Sequence, residues 1–209
     1  MIAREGWKFI AGSFVAAAGF GCWPALAPAG WGLSALALAF GAFSAYFFRD
    51  PERPLPADAS KIHSPADGTV LSVAPEGPDA TPTVRIFMSP FNVHINRAPV
   101  AGKVVSVVHQ PGSLAMAMKP ESHGNERVIM RLEPGGGRPP LVVEQIAGFL
   151  ARRVVCKARE GDTLGMGQRY GLIQFGSQTA IRFPPGSRPT VKPGEKMVGG
   201  VSVIGEWTE

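Results

Sequence analysis

RYGLIQFGSQTAIRF, residues 169–183, alternates like a half-buried strand around a central Gly-Ser pair. Ile173, Phe175, Thr179, Ile181 and Phe183 fall on one face; Gln174, Gln178 and Arg182 fall on the other. Ser177 points the same way as the apolar set, and Gly176 breaks the strand just before it. Any account of the chain must explain an inward hydroxyl behind a permissive residue.

Working outward, the same texture repeats. The runs GTVLSV, TVRIFM, GKVVSVV, RVIMRL, PLVVEQI and RRVVCKA are separated by breakers such as PEGPDA, PGS and PGGGRPP. Short apolar runs punctuated by turns predict a mainly β domain over 61–209, an antiparallel β sandwich or barrel. IAGFLARRVV (146–155) admits a short helix instead. No repeat of solenoid period is present.

The first fifty residues differ in kind. Phe9 to Ala27 and Gly30 to Phe48 carry no charge. As helices each would reach about 28 Å, enough for a hydrocarbon core. Pro24, Pro28 and Gly30 supply a turn between them. Arg4 and Lys8 precede the first run, and Arg49, Arg53 and Lys61 follow the second. The expectation is a membrane-associated helical hairpin over 1–48 with both ends cytoplasmic, then a Pro-rich linker, RDPERPLPADAS, over 49–60. Two other readings stand beside it: a signal-peptide cleavage site at Ala25–Ala27, and a shallow hairpin within one leaflet.

Composition agrees with an appendage plus a turn-rich domain: 26 Gly, 20 Pro and only 18% charged residues in 209. A net charge of +5 favours anionic partners, and lipid and nucleic acid both qualify. Cys22 and Cys156 form no disulfide framework. Four His without metal-ligand spacing predict no metal site.

Three polar groups stand in informative settings: Asp67 in the turn SPADGTV, His94 in SPFNVHINRAPVAGKV, and Ser177. A hydroxyl, an imidazole base and an orienting carboxylate are the parts of an acyl-attack triad. On residue types alone the plainer assignment prevails, with Asp67 capping a turn, His94 in the core and Ser177 bonded to a neighbouring strand.

FFRDPER, SPADGTV, SPFNVHINRAPVAGKV, NER, IAGFLARRVVC, GDTLGMGQRYGLIQFGS and VKPGEKMVGGVSVIGEW together, in order, resemble the phosphatidylserine decarboxylase proenzymes, in their short, membrane-anchored bacterial form. The resemblance implies a pyruvoyl enzyme that makes its own cofactor. The bond between Gly176 and Ser177 would be cut, leaving a β chain of 1–176 and an α chain starting at Ser177. Asp67, His94 and Ser177 would be the self-cleavage triad. The pyruvoyl ketone would accept the amine of the serine headgroup and take up the electrons left by CO₂, yielding phosphatidylethanolamine. The implied setting is the cytoplasmic side of the cell membrane, with a phospholipid substrate and no nucleic acid; a homo-oligomer is left open. His123, Asn125 and Glu126, in a loop, and Arg152 and Arg153 are candidates for the headgroup and its phosphate.

Departures are local. Long members of the family carry a further His where Phe91 stands, so His63 or solvent would take its place. Gln174 and Gln178 flank the cut where short members usually have basic residues. The competing functions are a membrane-anchored β-barrel binding module without catalysis, and a pyruvoyl decarboxylase of a soluble amino acid.

Overall fold

A computed structural model of the chain describes residues 1–23, 28–112, 124–148, 153–174 and 177–208. It is mostly β, with 40% strand and 21% helix. Two compact units divide it, Met1–Glu52 and Arg53–Glu209. The division falls inside the stretch read as a linker.

In the first unit, α1 (Trp7–Cys22) and α2 (Ala29–Phe47) pack on small residues. Ser34 Oγ donates to the Ala17 carbonyl at 2.7 Å, which joins the two helices. Gly41 faces Ser13 with no room for a Cβ. The helices are unequal in length. Helix α1 has 16 residues, about 24 Å, short of a hydrocarbon core, whereas the 19 residues of α2 reach about 28 Å. Among the described residues α2 alone is long and apolar enough to cross a membrane. Large apolar side chains remain exposed on the pair, among them Trp7, Phe14, Trp31 and Leu36. Pro24 and the cleavage-site reading at Ala25–Ala27 lie outside the described residues.

Among the described residues the second unit holds fourteen strands. In chain order they are β1 (Lys61–His63), β2 (Gly68–Glu76), β3 (Thr81–Met88), β4 (Ile95–Arg97), β5 (Gly102–Gln110), β6 (Arg127–Glu133), β7 (Leu141–Ile146) and β8 (Val154–Cys156). Then come β9 (Thr163–Leu164), β10 (Arg169–Ile173), β11 (Ser177–Arg182), β12 (Ser187–Pro189), β13 (Lys196–Met197) and β14 (Val203–Trp207). Eight of them form a curled antiparallel sheet in the order β13-β2-β3-β11-β7-β6-β5-β9. Two three-stranded sheets, β4-β10-β8 and β1-β14-β12, complete the unit.

Alternation explains the main sheet. Val84, Ile86, Met130, Leu132, Leu141, Val143 and Ile181 point inward and are essentially unexposed; each buried side chain of this size contributes about 1.5–3 kcal/mol. The alternate residues carry ion pairs. Glu144, fully buried, bonds Arg127 at 3.1 Å and Arg182 at 2.6 Å, while Arg85 pairs with Glu76 and reaches Gln178. Burying a carboxylate is tolerable only with such partners.

The stretch 169–183 is not one strand. Its first half is β10, bonded to β4 and β8; its second half is β11, in the centre of the eight-stranded sheet between β3 and β7. The chain leaves the three-stranded sheet after Ile173 and enters the eight-stranded sheet at Ser177. The helix considered over 146–155 spans residues 149–152, outside the described set; its tail, Val154–Cys156, is strand β8.

Candidate active site

Ser177 is the first residue of β11, opposite Met88 of β3, and is completely buried. Its hydroxyl donates to Met88 Sδ at 3.5 Å. Thr179, two residues on and on the same face, donates to the same sulfur at 3.5 Å. A thioether is a weak acceptor, so the Ser177 proton is loosely held. Gly176, the other half of the expected scissile bond, lies outside the described residues.

His94 precedes β4 and is 2% exposed. Its Nδ1 lies 3.0 Å from the Asn92 carbonyl. A carbonyl only accepts, so Nδ1 carries the hydrogen and the neutral ring keeps its lone pair on Nε2, the form a general base requires. Two ties bring His94 to the Ser177 end of the sheet. The Ile173 N–H donates to the His94 carbonyl at 3.3 Å, four residues before Ser177. Two residues beyond His94, Asn96 Nδ2 donates to Thr179 Oγ1 at 3.3 Å. Gln145 Nε2 in turn donates to Asn96 Oδ1 at 2.8 Å, which fixes the Asn96 amide. Gly171 is a glycine because a Cβ there would collide with the Val155 carbonyl oxygen of β8, and would also come within 2.8 Å of that Gln145 nitrogen.

Asp67, at the turn before β2, is differently engaged. Arg53 Nη1 and Nη2 donate to its two oxygens at 2.6 and 2.9 Å, and the Gly199 N–H donates to Oδ1 at 2.8 Å. The hydrogen bonds among the described residues include none from Asp67 to His94; the Asn92 carbonyl orients the imidazole instead. Neighbours of the three expected residues share one cluster. A small apolar cluster, separate from the main core, contains Ala66 beside Asp67, Met88 beside Ser177 and Ile173 bonded to His94, with Val128, Ala147 and Val154. The side chains bonded around Ser177 and Thr179, namely Met88, Asn96 and Gln145, are all neutral.

The proposed headgroup residues are scattered in role. Asn125 is buried and donates to the Ala147 carbonyl at 2.7 Å, at the wall of that cluster. Glu126 pairs with His109 at 2.8 Å, giving His109 a partner the sequence did not suggest. Arg153 is exposed, and its carbonyl accepts from the Gln174 N–H. His123 and Arg152 lie outside the described residues. Phe91 is 66% exposed, whereas His63 is buried, which pushes its imidazole pKa down. Gln178 turns away from Ser177 to meet Arg85. Among the described residues no group of three His, Cys, Asp or Glu side chains could hold a metal.

Sequence reading missed Arg53, Asn92, Asn96, Gln145 and Thr179. Arg53 was visible in FFRDPER but read as a flanking charge, and the neutral four carry no spacing signal.

Comparison with known proteins converges on one family. The model of the phosphatidylserine decarboxylase family matches residues 40–205. A phosphatidylserine decarboxylase proenzyme of Pelobacter propionicus is 44% identical, covering 98% of this chain and 96% of the relative. Proenzymes of the same name from Symbiobacterium thermophilum, 43% identical over 98% of this chain and 95% of the relative, and Gluconacetobacter diazotrophicus, 46% identical over 85% and 82%, are likewise similar. With these likenesses over nearly its full length, and with Ser177 at the head of a central strand, the chain belongs to the phosphatidylserine decarboxylase family.

Proposed function

We propose that the chain is a precursor that cuts itself between Gly176 and Ser177 and then decarboxylates phosphatidylserine to phosphatidylethanolamine at the cytoplasmic face of the cell membrane. The observation that carries this reading is the buried Ser177 hydroxyl at the first residue of β11, with the His94 carbonyl bonded to Ile173 of β10 and Asn96 bonded to Thr179 of β11.

His94 Nε2 takes the Ser177 hydroxyl proton as Oγ attacks the Gly176 carbonyl. The Ser177 nitrogen leaves as an amine, and an ester replaces the amide. Loss of the Ser177 α-proton expels the Gly176 carboxylate by β-elimination. One water then converts the dehydroalanine to a pyruvoyl group with release of ammonia. The apolar cluster keeps other water from diverting the attack, and Asp67 stabilises the charge that develops on the base.

The residues around Ser177 suit the group it would become. The pyruvoyl ketone supplies an electrophile for the substrate amine and a sink for the electrons left by CO₂. The neutral surroundings of Met88, Asn96 and Gln145 favour loss of a carboxylate, because a nearby cation would stabilise it in the ground state. Helix α2 supports a membrane setting, where the lipid substrate resides.

The test is intact mass spectrometry of purified protein. Two masses are expected, the smaller beginning at 177 and blocked at its amino end. Ser177→Ala should give one uncut, inactive chain, and His94→Ala should slow cutting by several powers of ten. A single full-length mass accompanied by normal turnover of phosphatidylserine would refute the proposal.

A further inference from the structure

Arg53 joins residues from both sides of the expected cut. Its guanidinium donates to both oxygens of Asp67 at 2.6 and 2.9 Å, and also to the carbonyl of Gly199. The Gly199 N–H returns to Asp67 Oδ1, closing a three-way junction. The Arg53 side chain is only 9% exposed and that of Asp67 13%. The loop carrying Gly199 lies flush on the Asp67 turn. A Cβ on Gly199 would come within 3.0 Å of the Ala66 main chain, and Gly200 N and Ser64 N bond across at 2.7 and 2.8 Å. A planar fork fixes the plane of a carboxylate in a way that an ammonium cannot.

We propose that Arg53 is a positioning residue for self-cleavage, acting through Asp67. It locks the carboxylate in one orientation and seats the 198–202 loop on the turn before the bond breaks. The inference rests on Asp67 serving the self-cleavage proposed above.

The experiment follows the appearance of the short piece in full-length chains carrying Arg53→Met, Arg53→Lys, Asp67→Asn, and each Arg53 substitution combined with Asp67→Asn. Misplacing a catalytic partner by a fraction of its contact distance costs about 10- to 100-fold, so Arg53→Met should cut that much more slowly, with Arg53→Lys in between. In the Asp67→Asn background neither Arg53 substitution should slow cutting further, because both act on one group. Each substitution is also melted in a Ser177→Ala chain, to confirm folding without cutting. Should Arg53→Met fail to fold, Arg53→Lys decides: slowed cutting that vanishes in the Asp67→Asn background supports the proposal.

Cutting at the unsubstituted rate by Arg53→Met or Arg53→Lys, or effects that multiply with Asp67→Asn, overturns it while leaving the role of Asp67 intact. Full-rate cutting by Asp67→Asn alone removes that role, and the inference with it.

Discussion

If the chain is cut before Ser177, its stability must become a property of two molecules. The segment beyond the cut owns β11, β12, β13 and β14; of these, β11 pairs with β3 and β7, β13 with β2 and β14 with β1 of the segment before it. Ile181, Phe183, Val191, Met197 and Ile204 carry it into the main core. Both cysteines are free and lie before the cut, so no disulfide can link the pieces. Unfolding then releases two chains, and dilution favours the unfolded state by mass action. A 100-fold dilution is worth RT ln 100, about 2.7 kcal/mol. At roughly 2–4 °C per kcal/mol for a protein of this size, the melting temperature should fall by about 5–11 °C. The assay is thermal unfolding, followed by circular dichroism in detergent, of the unsubstituted and Ser177→Ala chains at two concentrations 100-fold apart. The Ser177→Ala chain, still continuous, should melt at one temperature at both. Equal melting temperatures for the unsubstituted chain, with both fragments present by mass, would refute the reasoning.

Two further outcomes follow from packing and charge. Phe183→Ala should destabilise the continuous Ser177→Ala chain by about 3–5 kcal/mol, read by urea unfolding, because Phe183 is 1% exposed in the main core. Burial lowers the His63 pKa from its ordinary 6.5, with Asp58 opposing weakly. The unfolded chain therefore binds the proton more readily: stability is unaffected well above pH 6.5 and falls as pH drops through 6.5 toward the folded-state value. The urea midpoint should be lower at pH 5.5 than at pH 7.5, and His63→Gln should flatten the difference.

Strand runs with clean alternation were legible from the sequence. GTVLSV, TVRIFM, GKVVSVV, RVIMRL and PLVVEQI lie in β2, β3, β5, β6 and β7, because one side of each faces a continuous core. Strands of two or three residues, such as β1, β9, β12 and β13, are too short for a period and exist only because a neighbour pairs with them. The sheet change inside 169–183 was hidden for a related reason: β10 and β11 are both buried, so one run of apolar residues serves two sheets. At the site, reactive types in turns could be singled out. What holds them could not: a main-chain carbonyl from Asn92, neutral amides at Asn96 and Gln145, and an arginine 14 positions before its partner. Such partners are set by tertiary proximity, which local pattern does not encode.

The position of Ser177, at the head of a strand enclosed on both sides, dictates a sequence of events. A segment synthesised separately from residue 177 would begin with a charged ammonium, delivered to a place with no solvent at all. If the chain cuts itself as proposed, shape must therefore come first and severance second, and an active enzyme should not assemble from independently expressed halves. A reactive group made from Ser177 would then have to be born in place.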